Sequence, residues 1–330
     1  MNRDRPTIDT VAARAGVGRG TVSRVVNGSS QVSDSARKAV LEAIEELGYV
    51  PSRAARSLVT RRTDSIALVI PEPGERLFAE PYFAGIVRGI SAALADTQLQ
   101  MWLSMVQSAA ERDRVGKFLT REHVDGVLML SQHADDPLPG RVVDAGLPIV
   151  LCGRPLSGTD VPYVDADNAA GARSAVEYLR EHGRTTIATI AGPQDMAPGV
   201  ARLQGYRQVV GEGLVEYGDF SEASGAEAMA RLLERVPDLD AVFAASDPMA
   251  FGALQVLKEH GRRVPDDVAV IGFDGSPAGK HSDPPLSSVH QPAEAMGREM
   301  TRLLLAQLSG EPLPESPTII ETDLELRGSA

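Results

Sequence analysis

The sequence predicts an all-α N-terminal headpiece followed by a larger α/β body made of two doubly wound parallel-sheet lobes. Three observations support this fold class. Residues 1–62 carry a net charge of +5, whereas the remainder carries −17 within a total of −12. The first 48 residues have the helix spacing of a helix-turn-helix unit. After residue 63, short apolar segments alternate with amphipathic ones, and this alternation repeats once.

Composition limits the function classes before any motif is considered. The 330 residues are 43% hydrophobic and 24% charged, which excludes wholesale disorder. No apolar run reaches membrane-spanning length, and the polar N-terminus has no signal-peptide core. We therefore expect a cytoplasmic protein without a membrane partner. Cys152 is the only cysteine, which excludes a disulfide within the chain and a cysteine-rich metal site.

Three short helices are predicted in the basic headpiece. Thr7 caps a helix that ends at Gly16, a second helix covers about 19–26, and Ser33 caps a third over 34–47. Small and apolar residues line the inner face of the first two helices, as a helix-turn-helix requires. The second helix would enter the major groove of DNA with five outward residues: Arg19, Gly20, Thr21, Ser23 and Arg24. A purely structural three-helix unit is the alternative.

The segment from Thr7 to Leu58 resembles the headpiece of the lac/galactose repressor family. The matching runs are Asp9–Ala12, Ala15–Val17, Thr21–Asn27, Leu47–Tyr49, Pro51 and Ala55–Leu58. The resemblance implies that residues 1–62 bind operator DNA, that residues 52–59 form a hinge helix, and that Leu58 inserts into the minor groove. It assigns DNA contacts to Thr7, Arg19, Gly20, Thr21, Ser23, Arg24, Asn27, Ser33, Arg53, Ala55 and Leu58. Gly20 departs from the family, whose members often carry a base-reading side chain there.

The body contains two series of predicted strands and helices. The first has strands at Ser65–Ile70, Leu99–Met105, Asp125–Leu130 and Pro148–Leu151, and helices at Tyr82–Ala95, Ala109–Arg121 and Pro137–Ala145. The second has strands at Thr186–Ala191, Asp240–Ala244 and Val268–Phe273, and helices near Ala169–Glu181, Val200–Glu212, Glu222–Arg235 and Pro248–His260. We expect Trp102 and Cys152, which fall within or just after strands, to pack in the core.

The two series repeat each other. The segment from Ile66 resembles that from Ile187, and the segment from Asp125 resembles that from Asp240, at offsets of 121 and 115 residues. Repeated βαβ units predict two parallel-sheet lobes with a cleft between them. The family resemblance extends to the C-terminus and implies a periplasmic-binding-protein-like body over 63–330. It places lobe 1 at about 63–163 and 292–320 and lobe 2 at about 164–291 and 321–330, with three crossings and a last helix at about 292–308.

Polar and aromatic side chains near the ends of predicted strands are candidates for holding a ligand in this cleft. They are Glu72, Tyr82, Phe83, Ser131, His133 and Arg154 in the first lobe, and Arg202, Ser246 and Asp274 in the second. Asp274 matches the carboxylate with which the family holds a sugar hydroxyl, although it is also placed to cap a turn. Arg202 is expected either to hold the ligand or to pair with Asp247. Ser246 stands where the family often has asparagine.

These features predict a ligand-responsive, sequence-specific transcriptional regulator rather than an enzyme. No nucleophile elbow, phosphate loop or paired metal ligands are present, and no cofactor is expected. We expect a homodimer on a pseudo-palindromic operator, repressing carbohydrate-utilisation genes until a mono- or oligosaccharide releases it. Residues 321–330 contain no leucine heptad, which disfavours a tetramer. The loops at 72–79 and 195–199 resemble those of a subgroup linked to plant-derived oligosaccharides.

Two alternatives stay open at this point. A co-repressing ligand would strengthen operator binding instead of weakening it. A soluble sugar-binding receptor would share the body but not the headpiece, and it would require an export signal.

Overall fold

The computed structural model describes residues 6–26, 31–49, 62–72 and 74–330. The chain divides into two compact units, Met1–Thr63 and Asp64–Ala330. The expected hinge helix at 52–59 and the DNA contacts assigned to Asn27, Arg53, Ala55 and Leu58 lie outside the described residues. Within the described part of the chain, no helix is both long and apolar enough to span a bilayer.

The headpiece contains three helices, α1 (Ile8–Ala15), α2 (Arg19–Val26) and α3 (Asp34–Leu47). A capping box starts α1, since the Thr7 hydroxyl accepts from the Thr10 amide and the Thr10 hydroxyl accepts from the Thr7 amide. Gly16 ends α1 in a left-handed conformation with a φ of 65°. Six buried residues hold the three helices together: Val11, Ala12, Val22, Val25, Val40 and Ala43. The helix-turn-helix predicted from spacing is confirmed.

The first lobe is built on a parallel sheet with an apolar layer on each face. Its elements up to the first crossing are β1 (Ser65–Ile70), α4 (Gly74–Ala79), α5 (Pro81–Leu94), β2 (Gln100–Met105), α6 (Ala109–Phe118), β3 (Gly126–Met129), α7 (Leu138–Asp144), β4 (Ile149–Cys152) and β5 (Tyr163–Ala166).

The second lobe repeats the same plan. It contains α8 (Asn168–Glu181), β6 (Ile187–Ala191), α9 (Ala197–Val210), β7 (Leu214–Tyr217), α10 (Glu222–Arg235), β8 (Ala241–Ala244), α11 (Asp247–Glu259), β9 (Ala269–Asp274), a 3₁₀ turn (Pro277–Lys280) and β10 (Ser287–His290). Two further apolar clusters cover the faces of its sheet. The two-lobed α/β fold class is therefore confirmed.

Three crossings join the lobes. The chain passes to the second lobe after β5, and returns after β10 to form α12 (Ala293–Ser309) and β11 (Thr318–Ile320). It then crosses again to form β12 (Asp323–Glu325). The strand orders are β11-β5-β4-β3-β1-β2 and β12-β10-β9-β8-β6-β7, parallel except for β12. The first sheet extends three residues past the lobe boundary expected at about 163, because β5 pairs with β4 and β11.

Helix α12 packs closely on α5 although the two are far apart in the sequence. A Cβ atom at Gly89 would lie 2.1 Å from the Glu294 carbonyl oxygen, and one at Gly297 would lie 2.3 Å from the Ile86 carbonyl oxygen. Glycine at these positions permits the two backbones to approach. The contact anchors α5, whose first turn supplies part of the cleft wall.

The strands and helices predicted in the body are present, with boundaries within three residues of those expected. Five more strands, β5, β7, β10, β11 and β12, are not indicated by the sequence. They are only three or four residues long and mix polar with apolar side chains, so they give no clear period.

The expectation of a buried Trp102 is wrong, whereas Cys152 is buried as expected. The Trp102 side chain is 54% exposed because β2 is the edge strand of the first sheet. Leu103 and Met105 on the same strand, and Phe118 at the end of α6, are also exposed. The ring centroids of Trp102 and Phe118 lie 6.4 Å apart. An apolar edge strand of this kind is a surface on which a second chain can pair.

Candidate functional site

The carboxyl ends of the parallel strands in the two lobes face each other across a cleft, and two connected spaces lie in it. We call the inner space the deep chamber, lined among others by Tyr82, Cys152, Asp165, Asn168, Arg202, Phe220, Asp274 and Gln291. We call the wider space the outer chamber, lined among others by Glu72, His133, Asp195, Asp219, Phe251 and His290. Both chambers draw residues from both lobes, so a ligand here would contact both sheets.

All nine cleft residues proposed from the sequence lie in this region. Seven line the deep chamber: Tyr82, Phe83, Ser131, Arg154, Arg202, Ser246 and Asp274. Glu72 and His133 line the outer chamber. The fold brings them together because loops that follow parallel strands converge at one edge of a sheet.

Arg202 is the most extensively bonded group in the deep chamber. It projects from α9, is 4% exposed, and donates to the Asn168 side-chain oxygen at 2.9 Å, the Ala245 carbonyl at 2.6 Å and the Gln291 side-chain oxygen at 2.9 Å. Its guanidinium carbon lies 3.6 Å from the centre of the Phe273 ring. Burial lowers the pKa of Arg202. These contacts fix the guanidinium in one orientation.

Asp274 completes this group of charges. One carboxylate oxygen lies 3.5 Å from the Arg202 Nη1 atom, and the other accepts from the Asp247 amide at 3.4 Å. Burial raises the pKa of Asp274 to about 8, and the nearby Asp247 and Glu80 also raise it, whereas Arg202 lowers it. A carboxyl of this kind accepts a hydrogen bond when it is ionised and can donate one when it is protonated.

Arg202 pairs with Asp274 and not with Asp247, so the pairing with Asp247 that the sequence offered as one alternative does not form. Asp247 is fully buried at the start of α11, where its two carboxylate oxygens accept from the Ser288 hydroxyl at 2.5 Å and the Ser276 amide at 2.6 Å. Burial raises the pKa of Asp247. Asp247 therefore serves the loops behind the cleft and not the cleft itself.

Ser246 has a structural contact of its own. Its hydroxyl caps α11 by accepting from the Met249 amide at 3.3 Å, and it donates to the Phe220 carbonyl at 3.3 Å. The side chain is only 3% exposed, although it borders the deep chamber. Ser246 thus positions the helix and the neighbouring aromatic residue.

Three charged residues spaced four positions apart in the sequence, Glu72, Arg76 and Glu80, line the wall of the first lobe. The Arg76 guanidinium contacts a Glu72 oxygen at 2.9 Å and a Glu80 oxygen at 2.6 Å. The Ser131 hydroxyl donates to the same Glu72 oxygen at 2.6 Å. Burial raises the pKa of Glu80, although Arg76 opposes the shift. These contacts pre-order acceptors and donors along the wall.

Aromatic rings face the polar groups. Tyr82 and Phe83 meet edge to face with ring centres 5.2 Å apart, and the Tyr82 hydroxyl lies 3.3 Å from the Cys152 sulfur. Burial raises the pKa of the Cys152 thiol to about 12, so this cysteine is a neutral part of the wall and not a nucleophile. Phe220 contributes a ring from the second lobe. Such rings can stack on the apolar faces of a sugar.

Sequence reasoning misses several residues that line the deep chamber, among them Asp165, Asn168, Phe220 and Gln291. Asp165 lies on β5, Asn168 follows it, Phe220 follows β7, and Gln291 follows β10. These three strands are among those that show no clear alternation of apolar and polar residues. The sequence therefore does not show where they end, and the residues at their ends cannot be recognised as cleft residues. The Asn168 amide donates to an Asp165 oxygen at 3.0 Å, which links the first crossing to Arg202.

Backbone geometry also marks the cleft. Among the described residues other than glycine, positive φ values occur at Asp64, Ser131, Phe220 and Asp274, at 52°, 55°, 73° and 120°. Three of these four line the deep chamber. Strained backbone conformations of this kind concentrate at binding sites. The strain supports the cleft as the functional centre of the body.

On the headpiece, α2 presents the surface expected to contact DNA. Arg19, Gly20 and Arg24 are exposed, whereas Thr21 and Ser23 are half-buried. Thr7 and Ser33 serve as the caps of α1 and α3, which brings their hydroxyls to helix N-termini. Within the described residues, no group of three or more His, Cys, Asp or Glu side chains is arranged to hold a metal ion.

Comparisons with known proteins agree with both units. Residues 7–52 match the model of bacterial regulatory proteins of the lacI family, and residues 176–330 match a periplasmic binding protein-like domain. The chain is 55% identical to the HTH-type transcriptional regulator CelR of Thermobifida fusca, with 99% of each chain covered.

Two solved structures extend the comparison. A complex of the transcriptional regulator CelR with cellobiose is 52% identical, with a TM-score of 0.79 over 99% of this chain and 100% of that one. A lac repressor dimer bound to operator and to the anti-inducer ONPF is 26% identical, with a TM-score of 0.85 over 99% of each chain.

Proposed function

The chain belongs to the lacI family of bacterial regulatory proteins, and we propose that it is a transcriptional repressor whose operator affinity is controlled by cellobiose or a closely related β-linked gluco-oligosaccharide. The observation that carries this proposal is the deep chamber, in which a fixed guanidinium and several carboxyls face aromatic rings from both lobes. The CelR relative, which is 52% identical, was solved with cellobiose.

The chemistry of the chamber suits a neutral polyol. Adjacent sugar hydroxyls can donate to the carboxyls of Asp165 and Asp274 and accept from the Arg154 guanidinium, while Tyr82 and Phe220 cover the apolar ring faces. Tyr82, Asp165 and Asp274 are already held by contacts within the protein. A site that is ordered before binding loses little entropy when the sugar enters.

The headpiece supplies the other half of the function. We assign operator contacts to Thr7, Arg19, Gly20, Thr21, Ser23, Arg24 and Ser33, and, outside the described residues, to Asn27, Arg53, Ala55 and Leu58. An arginine on α2 can bind guanine through two hydrogen bonds in the major groove. The presence of this unit favours the regulator over the soluble sugar-binding receptor, which would have no use for it.

A homodimer follows from the same proposal. Each headpiece reads one half-site, so a pseudo-palindromic operator requires two copies. We place part of the dimer contact on the exposed apolar residues of β2 and α6. The sugar is expected to act as an inducer, which weakens operator binding.

Titration calorimetry on the full chain tests the ligand. Cellobiose should bind with one site per chain, whereas maltose, which differs in the linkage between the same two sugars, should bind at least about tenfold more weakly, because polar groups in the chamber would lose their partners. Equal affinity for the two disaccharides, or no binding of cellobiose, would overturn the assignment of the sugar.

A further inference from the structure

The two lobes contact each other directly through the loops that follow β3 and β6. The His133 Nδ1 atom lies 2.7 Å from an Asp195 carboxylate oxygen. The Ala134 amide donates to the Asp195 carbonyl oxygen at 2.8 Å. His133 and Ala134 belong to the first lobe and Asp195 to the second, so both bonds span the cleft. We call these two bonds the inter-lobe latch.

The latch lies far from the crossings that connect the lobes. The crossings leave β5, β10 and β11, whereas the latch follows β3 and β6, which are separated from β5 and β10 by β4 in one sheet and by β8 and β9 in the other. A contact between the lobes that is away from the hinge limits how far the lobes can separate. The bonds between Arg202 and its partners, by contrast, stand beside the crossings and do not limit opening in this way.

The contacts of His133 indicate a positioning role rather than a ligand contact. One ring nitrogen is bonded to Asp195, and the other faces a Glu72 oxygen at 3.9 Å. Glu72 is in turn held by Arg76 and Ser131. His133 and Asp195 border the outer chamber, and neither lines the deep chamber.

We propose that the inter-lobe latch formed by His133 and Asp195 stabilises the closed arrangement of the two lobes and thereby raises the affinity for the sugar without touching it. The inference rests on the proposed sugar-binding function of the cleft. A ligand that contacts both lobes binds the closed arrangement, and any contact that favours that arrangement increases the fraction of molecules ready to bind. The latch should act mainly on the rate at which the sugar leaves, because it must open before the lobes separate.

The test compares three variants by calorimetry and stopped-flow binding with cellobiose. Since the side chains of His133 and Asp195 are 30% and 54% exposed, the pair is partly screened by solvent. Loss of such a pair should raise Kd for cellobiose by roughly threefold to fivefold. His133→Ala and Asp195→Ala should each have this effect through faster dissociation. The double variant should lose no more than either single variant, because both changes remove the same bond.

Two further variants separate the latch from general effects. His133→Asn should keep most of the affinity, since an amide nitrogen at that position can still donate to Asp195. Asp135→Ala removes a neighbouring exposed carboxylate that also borders the outer chamber, and it should leave Kd unchanged. A loss for Asp135→Ala equal to that for His133→Ala would assign the effect to local charge and overturn the latch.

Hydrogen exchange without sugar makes the result independent of the proposed ligand. The Ala134 amide should exchange faster in His133→Ala than in the wild type, because the bond to the Asp195 carbonyl opens more often. If cellobiose does not bind the wild type, the proposed sugar is wrong, and the exchange rate of the Ala134 amide alone tests whether the latch forms. Unchanged exchange at Ala134 in His133→Ala would overturn the latch whichever sugar binds.

Discussion

At the centre of the cleft, the protonation of Asp274 should make the stability of the protein depend on pH. Its pKa is raised to about 8 in the folded chain, against 3.8 for an ordinary aspartate. Between these two values the folded state binds more protons than the unfolded state, so the free energy of unfolding should fall as pH rises. One such group contributes at most about 1.4 kcal/mol per pH unit.

Asp274→Asn should therefore flatten this dependence. Urea unfolding of the wild type and the variant at intervals from pH 5 to pH 8 measures the difference in slope. Asp267→Asn is the matched control, because the pKa of Asp267 is lowered to about 2 by Arg263 and it titrates below this window. Equal slopes for the wild type and Asp274→Asn would mean that Asp274 is ionised throughout the window.

The second residue-scale prediction concerns Phe220, which reaches the deep chamber from the loop after β7. Phe220→Leu keeps an apolar side chain but removes the aromatic face, so cellobiose affinity should fall by roughly threefold to tenfold. Calorimetry measures the change, and Tyr217→Leu, which alters an exposed ring outside both chambers, should leave the affinity as it is. An unaltered affinity in Phe220→Leu would exclude stacking of the sugar on this ring.

At the scale of single elements, α2 is expected to read the operator. Arg24→Ala should weaken operator binding by roughly 1–3 kcal/mol, with the loss confined to one base position in each half-site, if the guanidinium binds guanine. Gel-shift titration against a set of single-base operator variants locates the loss. Arg14→Ala, on α1 and paired with Glu46, is the control. A loss spread evenly over all sequences would assign Arg24 to phosphate instead.

Strand β2 lies at the edge of the first sheet and exposes apolar side chains. A lysine at the edge of a sheet opposes pairing with another chain, and buried tryptophans often dominate interface energy. Trp102→Lys should therefore weaken the dimer by about 2 kcal/mol or more, which is about thirtyfold. Light scattering over a dilution series measures this. Ile319→Lys, at the opposite edge of the same sheet, should not dissociate the dimer. A fully dimeric Trp102→Lys would move the interface elsewhere.

At the scale of the whole molecule, the sugar should control the affinity for DNA. A coupling free energy of about 1–3 kcal/mol between the two sites corresponds to a change of about 5–150-fold in operator affinity. Gel shifts of the full chain with and without saturating cellobiose measure it, with maltose as the control sugar. Weaker operator binding identifies an inducer, and tighter binding identifies a co-repressor. No change with a sugar that demonstrably binds would refute allosteric control.

The sequence alone determined the architecture and indicated nine of the residues that line the cleft. The capped helices around Thr7 and Ser33, the repeated segments at Ile66 and Ile187, and the charge contrast between the units are local signals, because helix caps and strand periods depend on neighbouring residues. Nine cleft residues were found in the same way, since polar residues after strongly apolar strands are easy to recognise. The lac/galactose repressor resemblance agrees with the matches found for both units.

Only the tertiary structure decided which partners these residues have. Arg202 pairs with Asp274 rather than Asp247 because α9 and β9 meet at the cleft while Asp247 turns toward β10. Asn168 and Gln291 enter the site from strands too short to give a period, and Trp102 is exposed because β2 lies at a sheet edge. In each case the outcome depends on segments far apart in the chain, whose order and packing no local pattern encodes.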